Sequence, residues 1–155
     1  MTAARPGRVL RAVFRAPVRL YDHGFGWLLG RRFLCLTHVG RRSGRAYRTV
    51  LEVVGVARGE YFVVAGLGAG ADWFRNVQAR PPVDVVVGRR RFAPRHRVLD
   101  EAEAVDVLAR YEHRNRFAAP ILRHVLSKLL GWRYDGSEDA RRRMASQLPI
   151  VGLRA

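Results

Sequence analysis

Short apolar runs, broken at regular intervals by glycine, dominate the middle of the chain. Phe33 to Val39, Arg48 to Val56, Tyr61 to Ala65, Val83 to Val87 and Phe92 to Leu99 are rich in valine, leucine and aromatic residues, the pattern of short β-strands. The turns at Arg58-Gly59 and Gly88-Arg89 are too short to hold a crossover helix. Adjacent strands are therefore expected to fold back on one another as an antiparallel meander, and five or six such strands close most readily into a small barrel.

Helical spacing flanks this region on both sides. Over residues 8 to 21, Leu10, Val13, Phe14 and Val18 lie on one side and Arg8, Arg11, Arg15 and Arg19 on another, which predicts a basic amphipathic helix kinked at Pro17. Asp100-Glu101-Ala102-Glu103 offers an N-cap and an acidic first turn to a helix reaching about Arg114. From Pro120 to Leu130, Ile121, Leu122, Val125, Leu126, Leu129 and Leu130 form a broad stripe expected to be buried, and Gly131 stops that helix. Ser137 to Ala140 begins a short third helix through Ala145, and Leu148 to Leu153 reads as a strand returning to the sheet. The expected class is α+β in one domain over 1–155. Its parts are an N-terminal helix within 1–22, a barrel core over 32–99, a helical segment over 100–146 and a closing strand over 147–155.

Charge adds a partner to this picture. The chain has 29 basic and 13 acidic residues, a formal net charge of +16. Of the first 51 residues eleven are arginine and only Asp22 is acidic, so that third carries eleven minus one, or +10. Such an excess points to an anionic partner. Lys128 is the only lysine, however, and an arginine bias of this kind also arises in GC-rich genomes, where many arginines are merely solvated. Nucleic acid is not the expected anion, because the strand aromatics sit in apolar runs rather than among basic residues. The single cysteine, Cys35, rules out an internal disulfide and a multi-cysteine zinc site, and its apolar setting predicts a buried thiol. No stretch approaches the roughly 20 apolar residues of a membrane span, and no secretory signal is apparent. The expected location is the cytoplasm; the apolar stripe of the 8–21 helix is expected to pack on the domain, with peripheral contact at the inner face of the membrane as the alternative.

Two segments carry candidate chemistry. The loop Gly40-Arg41-Arg42-Ser43-Gly44-Arg45-Ala46-Tyr47-Arg48-Thr49 combines two glycines, four arginines and hydroxyl groups, a donor set suited to phosphate or carboxylate oxygens, although a solvated hairpin tip would look the same. The second runs from Ala65 through Gly66-Leu67-Gly68-Ala69-Gly70-Ala71 into a helix start at Asp72-Trp73-Phe74-Arg75-Asn76, read as capped by Asp72 and anchored by Trp73 and Val77. Gly66, Gly68 and Ala71 satisfy G-x-G-x-x-A. Pro81-Pro82 nevertheless ends the helix too soon for a dinucleotide-binding crossover. The five histidines show no ligand spacing, Ser43 and Cys35 have no recognisable base partner, and no catalytic side chain or metal site is expected. That absence suits chemistry carried by a bound cofactor.

Taken together, Leu36-Thr37-His38-Val39-Gly40-Arg41-Arg42-Ser43-Gly44, Arg48-Thr49-Val50-Leu51, Tyr61 to Ala65, Trp73 to Ala79, Val85 to Gly88 and the Leu148 to Leu153 strand resemble the deazaflavin-dependent nitroreductase family. The resemblance implies a split antiparallel β-barrel of the FMN-binding type. It implies coenzyme F420 as cofactor, with FMN as the alternative, and hydride transfer to a quinone-like or nitroaromatic small molecule. It places Arg41, Arg42, Ser43 and Arg48 as counter-charges to the coenzyme's phosphodiester and oligoglutamate tail. Val50, Leu51, Ala65, Gly66, Leu67, Ala71, Asp72, Trp73 and Asn76 would bracket its ring and phosphate. A homodimer is expected by the same analogy, and a non-catalytic ligand-binding barrel is the competing function. The long segment from Asp100 to Ala145 departs from family members of known nitroreductase activity. Tyr21, Trp27, Tyr47 and Tyr111 are the aromatic candidates for a pocket wall.

Overall fold

A computed structural model of the chain describes residues 22–24 and 30–155. The helix expected over 8 to 21, with Tyr21 and Trp27, lies outside them. Seven strands follow: β1 Phe33–Val39, β2 Ala46–Ala57, β3 Glu60–Val64, β4 Asp84–Val87, β5 Arg90–Phe92, β6 Arg95–Val98 and β7 Ile150–Arg154. Among the described residues four helices accompany them, α1 Asp72–Ala79, α2 Glu101–Arg114, α3 Ala119–Leu130 and α4 Glu138–Gln147, with a 3₁₀ turn at Arg116–Ala118.

All strand pairs are antiparallel, in the order β5-β4-β1-β2-β3-β7-β6. The simple meander is corrected here: α1 carries the chain away from β3, and β4 pairs with β1 instead. The single strand expected from Phe92 to Leu99 is also corrected. Ala93-Pro94 divides it, since proline has no N–H to give to a ladder. β5 then pairs with β4 at one edge of the sheet, and β6 with β7 at the other. Three Cα steps from Phe92 to Arg95 span at most about 11 Å, so the two edges must come together. The sheet curls into a split barrel, and the ring stacking of Tyr61 on Phe92, with centroids 5.9 Å apart, crosses its interior.

Both faces of the curled sheet are covered. Alternate residues of each strand, among them Leu34, Leu36, Val53, Val63, Val85 and Leu153, fill the barrel with Trp73, Phe74 and Val77 of α1. Outside, Val54, Phe62 and Ile150 meet Val107 and Leu108 of α2 and Met144 of α4. Val53 and Val54 serve opposite cores by ordinary alternation, and the register shift between Val53 and Gly55 sets Ala57 rather than Val56 against the outer one. The expected caps form: Asp100 and Glu103 make a reciprocal capping box, Ser137 accepts from the Ala140 amide, and Gly131 ends α3 at φ 77°. The stripe on α3 is the exception. Leu126 and Leu130 touch the outer core, but no residue of that helix is buried.

Glu60 fastens the outer layer to the barrel. Its carboxylate lies over Gly152 and accepts from Arg97 Nε at 2.7 Å, while Arg97 Nη1 reaches Glu103 at 2.8 Å at the start of α2. A Cβ on Gly152 would overlap the Glu60 carboxylate. Gly152→Ala should therefore destabilise the fold by roughly 1–3 kcal/mol, the usual cost of overpacking a filled site. Urea unfolding measures this, and an unchanged midpoint would show that Glu60 has somewhere else to go.

Candidate functional site

The β1–β2 connection is a tight ring rather than a loose hairpin tip. The Gly40 amide donates to the Arg45 carbonyl at 2.8 Å and the Gly44 amide to the Gly40 carbonyl at 2.9 Å, with Gly44 at φ 68°. Ser43 Oγ pairs with the Tyr47 hydroxyl at 3.0 Å and accepts from the Arg45 amide. These bonds orient the backbone and leave Arg42 and Arg45 exposed at the tip.

A polar network ties this ring to α1. Asn76, buried on α1, accepts from the Arg41 amide at 3.1 Å and from Arg41 Nη1 at 2.9 Å. The Arg41 guanidinium also meets Asp72 at 3.2 Å. On its other side Asn76 Nδ2 donates to His38 Nδ1 at 3.1 Å, and His38 Nε2 lies 3.0 Å from Thr49 Oγ1. Because the Asn76 amide nitrogen can only donate, His38 Nδ1 must accept, so its proton sits on Nε2 and points at Thr49. The imidazole is buried, stacked against Tyr47 and neutral, and burial lowers its pKa despite the nearby Asp72 carboxylate.

The glycine-rich segment approaches from the end of β3. Gly68 N–H bonds to Ala65 O at 2.8 Å and Ala71 N–H to Gly68 O at 3.0 Å, two successive turns that lead directly into α1. Gly68 has φ 78°, and a Cβ there would press on the Gln147 carbonyl, so the fold itself requires that glycine. Gly66 and Gly70 differ: neither has positive φ, and an added Cβ would meet nothing within 4 Å. Ala71, not Asp72, is the N-cap residue, and no side chain caps the helix. Asp72 is turned to Arg41 instead, which corrects its expected capping role.

The structure gathers Arg41, Asp72 and Asn76 into one network with Arg42 and Ser43 beside it, and brings Gly66 and Leu67 to the surface leading to the same helix start. Ala65, Ala71 and Trp73 are buried, the last in the barrel core. Leu51 packs into that core, so Val50, the next residue of the strand, faces the opposite side of the sheet. Arg48 lies on Val50's side, paired with Asp22 and bonded towards Cys35, a thiol whose pKa burial raises and Arg48 opposes. Tyr111 is remote from the loop: its hydroxyl donates to Glu52 at 3.0 Å under α2, and burial first, then Glu52, pushes its pKa up to about 12. The residue that sequence reasoning missed is His38. The available signal was its place in the alternation Leu34, Leu36, His38, a polar group at an inward position of a buried strand.

The fold is that of an α+β split-barrel protein. Residues 14–120 match the F420H2-dependent quinone reductase family, and the chain belongs to that family. It is an oxidoreductase whose cofactor is coenzyme F420. No curated protein matches the sequence. Among solved structures it is similar to an F420-H2 dependent reductase, FDR-A, at 22% identity over 81% of this chain and 96% of that one, TM-score 0.47. HutZ, the heme storage protein from Vibrio cholerae, shares the fold at 14% identity over 87% and 89% of the two chains, TM-score 0.50. A pyridoxamine 5'-phosphate oxidase-related, FMN-binding protein from Nostoc punctiforme is 12% identical over 98% of this chain and 81% of that one, TM-score 0.48.

Neutrality of His38 gives the network a pH dependence. The folded-state pKa is depressed, so as pH falls below about 6.5 the unfolded chain takes up a proton that the native His38 refuses, and stability is lost until the native pKa is passed. His38→Gln, which cannot titrate, should be less stable than wild type at pH 7.5. Its deficit should narrow by up to about 1.4 kcal/mol per pH unit below 6.5. Urea unfolding of both proteins between pH 7.5 and 5.5 reads the gap, and a constant gap would remove His38 from the titration.

Proposed function

We propose that the chain transfers a hydride from reduced coenzyme F420 to a quinone, with nitroaromatic compounds as further acceptors, and that the Gly40–Arg45 ring and the Gly66–Asp72 turn hold the coenzyme. The observation that carries this reading is the pair Gly66 and Gly70, where neither backbone conformation nor packing within the chain requires glycine. Glycine at such positions keeps a flat backbone surface open for a ring or phosphate.

The donor set fits an anionic cofactor. The first-turn amides of α1 have no side-chain cap, and Arg42 and Arg45 are exposed on the ring that Arg41 ties to that helix, which favours phosphate at the helix start and carboxylates along the ring. Arg41 acts differently: held by Asp72 and Asn76, it fixes the ring against α1 and offsets the carboxylate that would otherwise repel the coenzyme. When bound, the reduced deazaflavin supplies a hydride, and the proton released with it completes the quinol, so two electrons and two protons pass in all. The protein's part is orientation and charge. His38 has both nitrogens engaged within the network and serves as a strut rather than a proton donor.

Arg42→Ala with Arg45→Ala should weaken F420 binding at least about tenfold, since charge-assisted contacts contribute about 1.5–3 kcal/mol each. Tryptophan quenching by F420, with FMN as the parallel titrant, measures the change. Equal affinity in the double variant would remove the ring from the site, and selective quenching by FMN would overturn the cofactor. Oxidation of F420H2 by a naphthoquinone and by a nitrobenzene, compared by kcat/KM, decides the acceptor.

A further inference from the structure

The exposed face of α3 answers to nothing else in the described fold. Phe117 in the preceding turn is 89% exposed, and Ile121, Val125 and Leu129 are 71%, 54% and 48% exposed. Successive steps of four residues make these side chains neighbours along one side of the helix. From His113 to Tyr134 the sequence contains Arg114, Arg116, Arg123, Lys128 and Arg133 and no carboxylate. Arg116 lies over the Phe117 ring at 4.8 Å, and Lys128 and His124 border the apolar row.

We propose that α3 and the turn before it form a docking face for an anionic bilayer surface. An apolar row flanked by cations lets the aliphatic side chains enter the acyl boundary while guanidinium and ammonium groups stay with lipid phosphates. Arg116 and Lys128 supply the complementary charge at the row, while Arg114 is turned to the Val54 carbonyl and Arg123 lies over Gly136. A second copy of the chain is disfavoured, because the same face would set Arg116 and Lys128 against cations with no acid between them. Nucleic acid would satisfy the cations and leave Ile121, Val125 and Leu129 in water. Among the described residues no helix is long and apolar enough to cross a membrane, so the geometry is one of lying on the surface. The inference is independent of the proposed coenzyme site and of the segment over 8 to 21.

Cosedimentation of the full chain with vesicles of phosphatidylglycerol and phosphatidylcholine, against phosphatidylcholine alone, tests the proposal. Binding should require the anionic lipid and weaken as salt rises. Ile121→Ser with Val125→Ser should lower partitioning at least about tenfold and leave F420H2 oxidation with a water-soluble quinone unchanged. A bimane label on Val125→Cys should shift to the blue on binding, while one on Arg142→Cys, on α4, should not. Vesicle binding without a shift at position 125 would assign the contact to another segment and overturn the proposal. So would absence of binding, or a doubled solution mass abolished by the serine variant, which would mark the face as a contact between copies.

Discussion

Everything in this barrel depends on a link of two residues. Ala93-Pro94 joins β5 to β6, yet these strands occupy opposite edges of the sheet. So short a link cannot be satisfied by a flat sheet of seven strands, because adjacent strands lie about 4.8 Å apart and the edges would be about 29 Å from each other. Curling is forced, and with it an interior that only alternate residues can reach. Curling also leaves β2, β3 and β7 with an outer face that must be covered, which α2 and α4 do through Val107, Leu108 and Met144.

Within that frame the site is fixed by a buried polar chain rather than by backbone pairing. Thr49, His38, Asn76 and Arg41 run from β2 through β1 and α1 to the ring between the first two strands. Each amide and imidazole nitrogen has one role the others permit, so the ring cannot shift against the helix without orphaning a buried donor or acceptor. At the proposed site a coenzyme between the two loops would need that rigidity, because hydride transfer is sensitive to small displacements.

The strands, the capped helices and the final strand were legible in the sequence because their signals are local: glycine turns, the Asp100 and Ser137 caps, and period-two runs. Pro94 was legible too, but its consequence was not, since nothing local says that Phe92 and Arg95 pair at opposite edges. The Gly40–Arg45 loop could be picked out as a candidate from its glycines and arginines. Which of its arginines is free could not, because Arg41 is tied up by Asp72 and Asn76, more than thirty residues away. His38 escaped notice for the same reason: every partner outside its strand is distant in sequence. The α3 stripe read as core material because helical spacing reports amphipathicity and not what lies opposite.

Charge distribution shows which cations the scaffold uses. Among the described residues, ten of the thirteen carboxylates meet an arginine, and eight arginines suffice for all ten. Of the remaining three, Asp100 caps α2 and Asp135 accepts from the Ser137 amide. Acidic groups are thus nearly exhausted by the scaffold, and no ion pair is left for Arg42 and Arg45 at the ring or for Lys128 on α3. Outside those pairs, exposed arginines such as Arg58, Arg80, Arg95 and Arg154 lie in neither region, as a genome-wide arginine bias would leave them. Arg42 and Arg45 stand apart in sharing the β1–β2 ring, and Lys128 in bordering exposed aliphatic side chains.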